Sequence, residues 1–157
     1  ILGNRSEIKF IKSLNIGAVR LKEKFFADEN YSEENCKKAA EWIKSELQAV
    51  SDIKKYPFTL VGVAGTVTTQ VSVIKQMKTY VASEVHRYNL TMEKLNENLE
   101  LFVSKNLEER KNIIGLEPKR AEVIVSGTFL LKTIMEFLGK DVITVSENDI
   151  LEGLMLV

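Results

Sequence analysis

Two short turns carry the residue types that phosphate chemistry needs. The first is Val61-Gly62-Val63-Ala64-Gly65-Thr66, a run of small residues closing an apolar, β-branched segment. Small residues at the carboxyl end of a strand let backbone amides approach a phosphate, and a helix beginning there adds its partial positive charge. A tight turn that merely needs glycine fits the same pattern, so both readings stand on these residues alone. The second turn is Leu2-Gly3-Asn4-Arg5-Ser6-Glu7. Its glycine, hydroxyl and carboxylate beside a strand suit phosphate contact with a divalent ion or a polarised water. A polar hairpin turn is the simpler account of them. Arg20, after Ile16-Gly17-Ala18-Val19, and Arg120, after Pro118, can each clamp a phosphate or pair with an acidic neighbour. His86 lacks a second His, Cys or Ser/Asp context and reads as a surface or packing residue. Cys36 falls on an apolar helical stripe and reads as a structural thiol. Glu97, Glu100, Glu108 and Glu109 read as solvated helix faces.

The elements that must position these residues follow from periodicity. Ile8, Phe10, Leu14 and Ile16 lie at strand spacing and predict a pair of strands, the second running toward Val19 and Leu21 and holding Arg20. Ser32-Glu33-Glu34 opens a helix with Ser32 as N-cap, and Cys36, Ala39, Ala40, Ile43, Leu47 and Val50 form its apolar face. Phe58 to Val63 predicts a strand buried on both faces, followed by a helix. Leu95, Leu99 and Phe102 are in helical register after Tyr88-Asn89-Leu90-Thr91. Asn106 and Glu109 have capping-box spacing for a short helix stopping at Gly115. Pro118 suits the first turn of a long helix that runs to about Leu138, with Gly139 as its C-cap. Apolar residues cover more than one face of that helix, so it is expected to be central. Val142 to Val145 predicts a last short strand, and Asp149 onward returns toward helix. Strands interleaved with helices imply an α/β sheet, at least partly parallel.

Composition narrows the function class. The 157 residues make one domain's worth of chain, and 22 Lys+Arg balance 22 Asp+Glu. That neutrality argues against a broad basic patch for nucleic acid or anionic membrane. One Cys and one His exclude a disulfide framework and a Cys/His zinc cluster within the chain. No apolar run approaches the roughly 20 residues of a membrane-spanning helix. A soluble, cytoplasmic domain is expected, with no nucleic-acid or membrane partner. The chain starts at Ile1 and ends in Leu154-Met155-Leu156-Val157, so a fragment of a longer protein is also expected.

Read in order, these segments resemble the second domain of the Ppx/GppA phosphatase family, the exopolyphosphatases and guanosine pentaphosphate phosphohydrolases. Leu14-Asn15-Ile16-Gly17-Ala18-Val19-Arg20-Leu21 is similar to the family's S-L-P-L-G-A-V-R-L-T-E, and Val61 to Thr66 to its V-G-x-A-G-T. His86-Arg87-Tyr88-Asn89-Leu90-Thr91 resembles H-G-Y-x-L-T, and Leu107-Glu108-Glu109-Arg110 follows in place. Gly115-Leu116-Glu117-Pro118-Lys119-Arg120-Ala121-Glu122-Val123-Ile124 resembles G-L-x-P-x-R-A-D-V-I. Ile143-Thr144-Val145-Ser146 through Leu151-Glu152-Gly153-Leu154 resembles the closing V-S-x-x-x-L-R-E-G-L.

The resemblance implies an α/β, RNase H-like domain of the actin/hexokinase/acetate kinase superfamily, with a mixed sheet and flanking helices. Residues 1–157 would be the second, C-terminal domain of a two-domain protein, whose first domain, with the catalytic glutamate, is absent from this chain. The implied activity is removal of the terminal phosphate from polyphosphate or guanosine pentaphosphate, at an interdomain cleft and with Mg²⁺ or another divalent ion. A homodimer is a further implication. The implied phosphate contacts are Gly3 and Ser6, then Gly62, Ala64, Gly65 and Thr66, with Arg20 and Arg120 as weaker candidates. Glu7 would touch metal or water. Two departures stand out. Asn4 and Arg5 bring Cβ atoms into a loop that reads D-I-G-G-G-S-T-E in the family, and Leu151 stands where the family commonly has arginine. The altered loop keeps open a non-catalytic phosphate- or nucleotide-sensing relative, and a structural domain without ligand is a third reading.

Overall fold

Apolar residues on every side of one helix set the architecture. In a computed structural model, which describes residues 1–4 and 6–148, that helix is Ile124–Leu138. Before it in the chain come β1 (Leu2–Gly3), β2 (Ile8–Phe10), α1 (Ala18–Phe25), α2 (Glu33–Leu47), β3 (Val61–Val63) and α3 (Gly65–Ile74). They are followed by α4 (Ala82–Val85), β4 (Asn89–Thr91), α5 (Met92–Val103) and α6 (Leu107–Arg110). The long helix is then α7, and β5 (Val142–Ser146) follows it. Helix α7 packs on α1, α2, α3 and α5 at once. Met135 joins the core beneath the sheet with Val71, Leu95 and Ile143. Phe129, Leu130 and Ile134 pack on the cluster of Leu21, Phe26 and Ile43. Ile124 and Val125 close a third cluster around Phe102 and Leu116. The central helix expected from the apolar pattern is therefore present.

The sheet is mixed, in the order β3-β5-β4. Strand β5 pairs parallel to β3, with Val61 opposite Thr144, and antiparallel to β4, with Leu90 opposite Ile143. A separate antiparallel hairpin joins β1 and β2. Local chemistry sets the helix ends as the spacing predicts. Ser32 Oγ accepts from the Asn35 N–H at 3.3 Å. Asn106 Oδ1 accepts from the Glu109 N–H at 3.0 Å, while Glu109 Oε2 accepts from the Asn106 N–H at 2.9 Å, completing the capping box. Gly139 ends α7 in the left-handed region, at φ 64°.

Three expectations are corrected. Residues 18–25 form a helix, not a second strand, so Arg20 lies on α1 and faces outward. The alternation of Ile8 to Ile16 does not continue: Leu21 and Phe26 are buried while Val19 is 57% exposed, a helical arrangement that begins after Gly17. The strand before Ala64 covers only Val61–Val63 and is not buried on both faces. Val61 and Val63 point to the same face of the sheet and are left 54% and 51% exposed there, while Gly62 faces Ile143 and Val67. Pro118 opens a separate 3₁₀ turn, Pro118–Arg120, and the long helix begins only at Ile124. The helix expected from Asp149, the Leu151 to Leu154 segment and Arg5 lie outside the described residues. No helix among the described residues is long and apolar enough to cross a membrane.

Candidate functional site

Strand β3 passes into α3 through Ala64, whose φ of 68° and ψ of −180° belong to a region that normally requires glycine. That sharp turn delivers the first amides of α3 to a cleft of about 640 Å³. Gly65 and Thr68 share the cleft with Lys78, Tyr80, Arg120 and Glu147. A Cβ on Gly65 would fall 1.9 Å from Arg120 Nη1, so the guanidinium lies directly over the start of the helix. Only glycine permits that approach. The wall therefore combines a helix N-terminus without a side-chain cap and a nearby cation, an arrangement that favours an anion. Arg120 Nε also sits 3.3 Å from Glu117 Oε2. Hydrogen bonding from Lys119, with help from Arg120, holds the Glu117 carboxyl below the usual carboxylate range.

Tyr80 and Glu147 bring a different chemistry to the same cleft. Tyr80 donates its phenol proton to Glu147 Oε1. Burial, reinforced by that acceptor, pushes the Tyr80 phenol up to about 12, so it stays protonated at neutral pH. The Glu147 N–H in turn donates to His86 Nδ1 at 3.3 Å.

Several buried groups hold the cleft in shape. Gln70, fully buried on α3, donates to Thr128 Oγ1 at 2.8 Å and to the Thr66 carbonyl at 3.3 Å. Asn98 on α5 donates to Gln70 Oε1 at 2.9 Å and to its carbonyl at 3.1 Å. These bonds lock α3, α5 and α7 together behind the stretch of α3 that lines the cleft. Arg110, 1% exposed, donates to the carbonyls of Lys105 at 2.9 Å and Ala121 at 3.1 Å. Its third arm meets Glu29 Oε2 at 2.9 Å. Arg110 thereby grips the residue after Arg120. Its charge also opposes the burial that pushes the nearby Tyr31 phenol up. Burial likewise pushes up the Cys36 thiol, in keeping with a structural role.

The other candidates lie elsewhere. Gly62 serves close packing, since a Cβ there would stand 2.7 Å from Ile143 Cδ1 and 3.1 Å from Val67 Cγ2. Thr66 turns its side chain toward Gly127 of α7, where a Cβ would lie 3.0 Å from the Thr66 hydroxyl, and it does not line the cleft. Gly3, Ser6 and Glu7 belong to the β1–β2 hairpin. There Asn4 Oδ1 accepts from the Ser6 N–H at 2.8 Å and the Glu7 N–H at 3.1 Å. The Glu7 carboxylate is exposed, 3.4 Å from Lys9. Arg20 lines a separate shallow hollow with Gly17 and Glu23. The structure thus brings Ala64, Gly65 and Arg120 together, and leaves Gly3, Ser6, Glu7 and Arg20 outside their cleft. Sequence reasoning missed Tyr80, Glu147, Lys78 and Arg110. Arg110 sits in a segment matching the family pattern, yet its partners at 29 and 121 are not neighbours that spacing reveals. Among the described residues no three His, Cys, Asp or Glu side chains group as a metal cage.

The chain is 51% identical over 158 residues to the bifunctional 3-dehydroquinate synthase/phosphatase of Fusobacterium nucleatum, covering 99% of this chain and 24% of that protein. It is 29% identical over 164 residues to exopolyphosphatase 2 of Mycobacterium tuberculosis, covering 99% of this chain and 50% of that one. The fold superposes on the Aquifex aeolicus PPX-GPPA enzyme with a TM-score of 0.90 at 32% identity, over 98% of this chain and 51% of that one. The chain therefore spans about half the length of these relatives or less. The α/β fold with a mixed sheet and flanking helices is the actin/hexokinase-like fold of Ppx/GppA proteins, as expected. The sequence profile of the family covers residues 1–157, and the chain belongs to the Ppx/GppA phosphatase family.

Proposed function

We propose that this chain is the second domain of a phosphohydrolase and forms one wall of a cleft that binds a terminal phosphate. The reading rests on the placement of the Arg120 guanidinium over Gly65, at the open amino end of α3. A first domain, outside this chain, would supply the opposite wall and the catalytic glutamate. The reaction is hydrolysis of a terminal phosphoanhydride, from polyphosphate or guanosine pentaphosphate, by in-line attack of water, in the cytoplasm. The amides of Gly65 to Val67 and the Arg120 guanidinium would hold phosphoryl oxygens where charge develops. Mg²⁺ needs one or two carboxylates together with substrate phosphates, and Glu7, on the hairpin outside the cleft of Gly65 and Arg120 and 3.4 Å from Lys9, does not fit a metal held on a phosphate in that cleft. A divalent ion held with the substrate would neutralise charge on the transferring phosphate. Glu7 therefore has no contact assigned to it in this cleft. Gly3 and Ser6 are its neighbours in the hairpin, and Arg20 is an outlying cation. Dimerisation is compatible with the reading and unnecessary to it.

One observation favours a second reading, a phosphate or nucleotide sensor. The amides of Ser6 and Glu7, which a phosphate loop would offer to its ligand, already bond Asn4 Oδ1. The two readings separate in a phosphate-release assay on the complete protein, with Mg²⁺ and either polyphosphate or guanosine pentaphosphate. The hydrolase reading expects release that falls about 10²-fold or more in Arg120→Ala, the scale of losing one donor to the developing charge. Unchanged release in that variant contradicts the role given to Arg120. Tight binding without turnover in the wild type supports the sensor.

A further inference from the structure

A tyrosine hydroxyl carries one proton and serves one acceptor at a time. At rest the Tyr80 hydroxyl donates to Glu147 Oε1, and Tyr80 is the side-chain partner of Glu147 among the described residues. The Thr68 side chain, on the first turn of α3, and the charge of Arg120 act on the same hydroxyl. Gly65, Thr68, Tyr80, Arg120 and Glu147 all line one cleft. A phosphate seated on the α3 amides and Arg120 therefore arrives beside a donor that is already in use. It also arrives beside a carboxylate, a like charge in the region that favours anions.

We propose that Tyr80 is a phosphate-binding residue held at rest by Glu147, and that its hydroxyl passes to a phosphoryl oxygen when the ligand enters, releasing Glu147. The O–H bond stays intact throughout, and only its acceptor changes. Both acceptors are anionic, so the bond lost and the bond gained are of the same charge-assisted kind. The gain comes from Glu147, whose carboxylate moves away from the phosphate into water and relieves the repulsion between them. Glu147 is thus an internal competitor for the anion site. Burial and the Glu147 acceptor push the Tyr80 phenol up to about 12, so it remains a donor at neutral pH. Tyr80 is 47% exposed and within reach of a ligand. The Glu147 N–H donates to His86 Nδ1 at 3.3 Å, which holds the backbone in place while the side chain turns away. The assignment rests on the phosphate-binding reading of the same cleft.

The test titrates tripolyphosphate into the chain by calorimetry at neutral pH. Tyr80→Phe removes only the hydroxyl and is expected to weaken binding about tenfold, the scale of one hydrogen bond to a charged group. Glu147→Gln keeps an acceptor for Tyr80 but deletes the competing charge, and is expected to tighten binding about three- to tenfold. The opposite signs are the signature, because a pair that merely braces the cleft would weaken binding in both variants. On the unaltered chain, the ¹³C resonance of the Tyr80 ring Cζ should move saturably as tripolyphosphate is added. Wild-type affinity in Tyr80→Phe, weaker binding in Glu147→Gln, or a Tyr80 resonance unmoved at saturation each overturns the inference. If Arg120→Ala still abolishes binding in that case, the phosphate-binding reading stands without it. Failure of the unaltered chain to bind tripolyphosphate overturns both.

Discussion

Replacing Arg110 with alanine is expected to cost about 3–5 kcal/mol of folding stability in urea titration, the scale for removing one partner of a buried ion pair. The guanidinium is 1% exposed and satisfies three groups at once: the Lys105 carbonyl, the Ala121 carbonyl and the Glu29 carboxylate. Removing it orphans two carbonyls inside the protein and leaves a cavity between α6 and the 3₁₀ turn. Glu29 is the smaller part of the loss, because its side chain is 31% exposed and water can partly solvate the unpaired charge. Arg110→Met should recover packing but not the carbonyl partners, and so remain destabilised. Arg110→Lys should fall between, since an ammonium lacks the fork that reaches both carbonyls. A loss under about 1 kcal/mol for Arg110→Ala would mean that these bonds contribute no more than an ordinary exposed pair.

The second large effect is expected at Gly115. Gly115→Ala should destabilise the chain by about 2–5 kcal/mol, combining left-handed backbone strain with overpacking. Its φ is 89°, and a Cβ would stand 2.3 Å from the Ser72 carbonyl oxygen and 2.8 Å from the Val73 nitrogen. The obstructing atoms are backbone on α3, so the loop must move. That loop lines the cleft and leads to Arg120, so ligand affinity should fall as well. Gly139 is the internal control. It too has a positive φ, 64°, but nothing lies within 4 Å of its would-be Cβ. Gly139→Ala should therefore cost only the backbone strain, about 1 kcal/mol. Equal costs at the two sites would remove the packing argument for Gly115.

Local signals were legible in the sequence. The Asn106/Glu109 capping box, the Ser32 cap and the Gly139 terminator all follow from residues within one helical turn. The central helix was legible because its apolar residues cannot fit one face. The α1 helix was not, because Ile8 to Ile16 alternate and the change of period at Gly17 falls within a few residues. Strand β3 was read as doubly buried because an apolar run carries no record of which neighbours the sheet supplies. At the site, composition alone left Val61 to Thr66 balanced between a phosphate turn and a tight turn. The family resemblance pointed to the turn. The contact that gives it chemical meaning, Arg120 over Gly65, joins distant segments and needed coordinates. Asn4 looked like bulk intruding on a glycine loop. In the structure it is a local acceptor that closes the hairpin on itself.

The central claim is that the amino end of α3, with Arg120, is where this chain holds phosphate. Amide NMR of the ¹⁵N-labelled chain during titration with tripolyphosphate tests it most directly. The account predicts saturable shifts that are largest at Gly65, Thr66 and Val67 and at the Arg120 Nε–H, with Ser6 and Glu7 unmoved because Asn4 already occupies their amides. Shifts concentrated at Gly3 to Ile8, or around Arg20 and Gly17, with residues 65–67 unmoved, would contradict it.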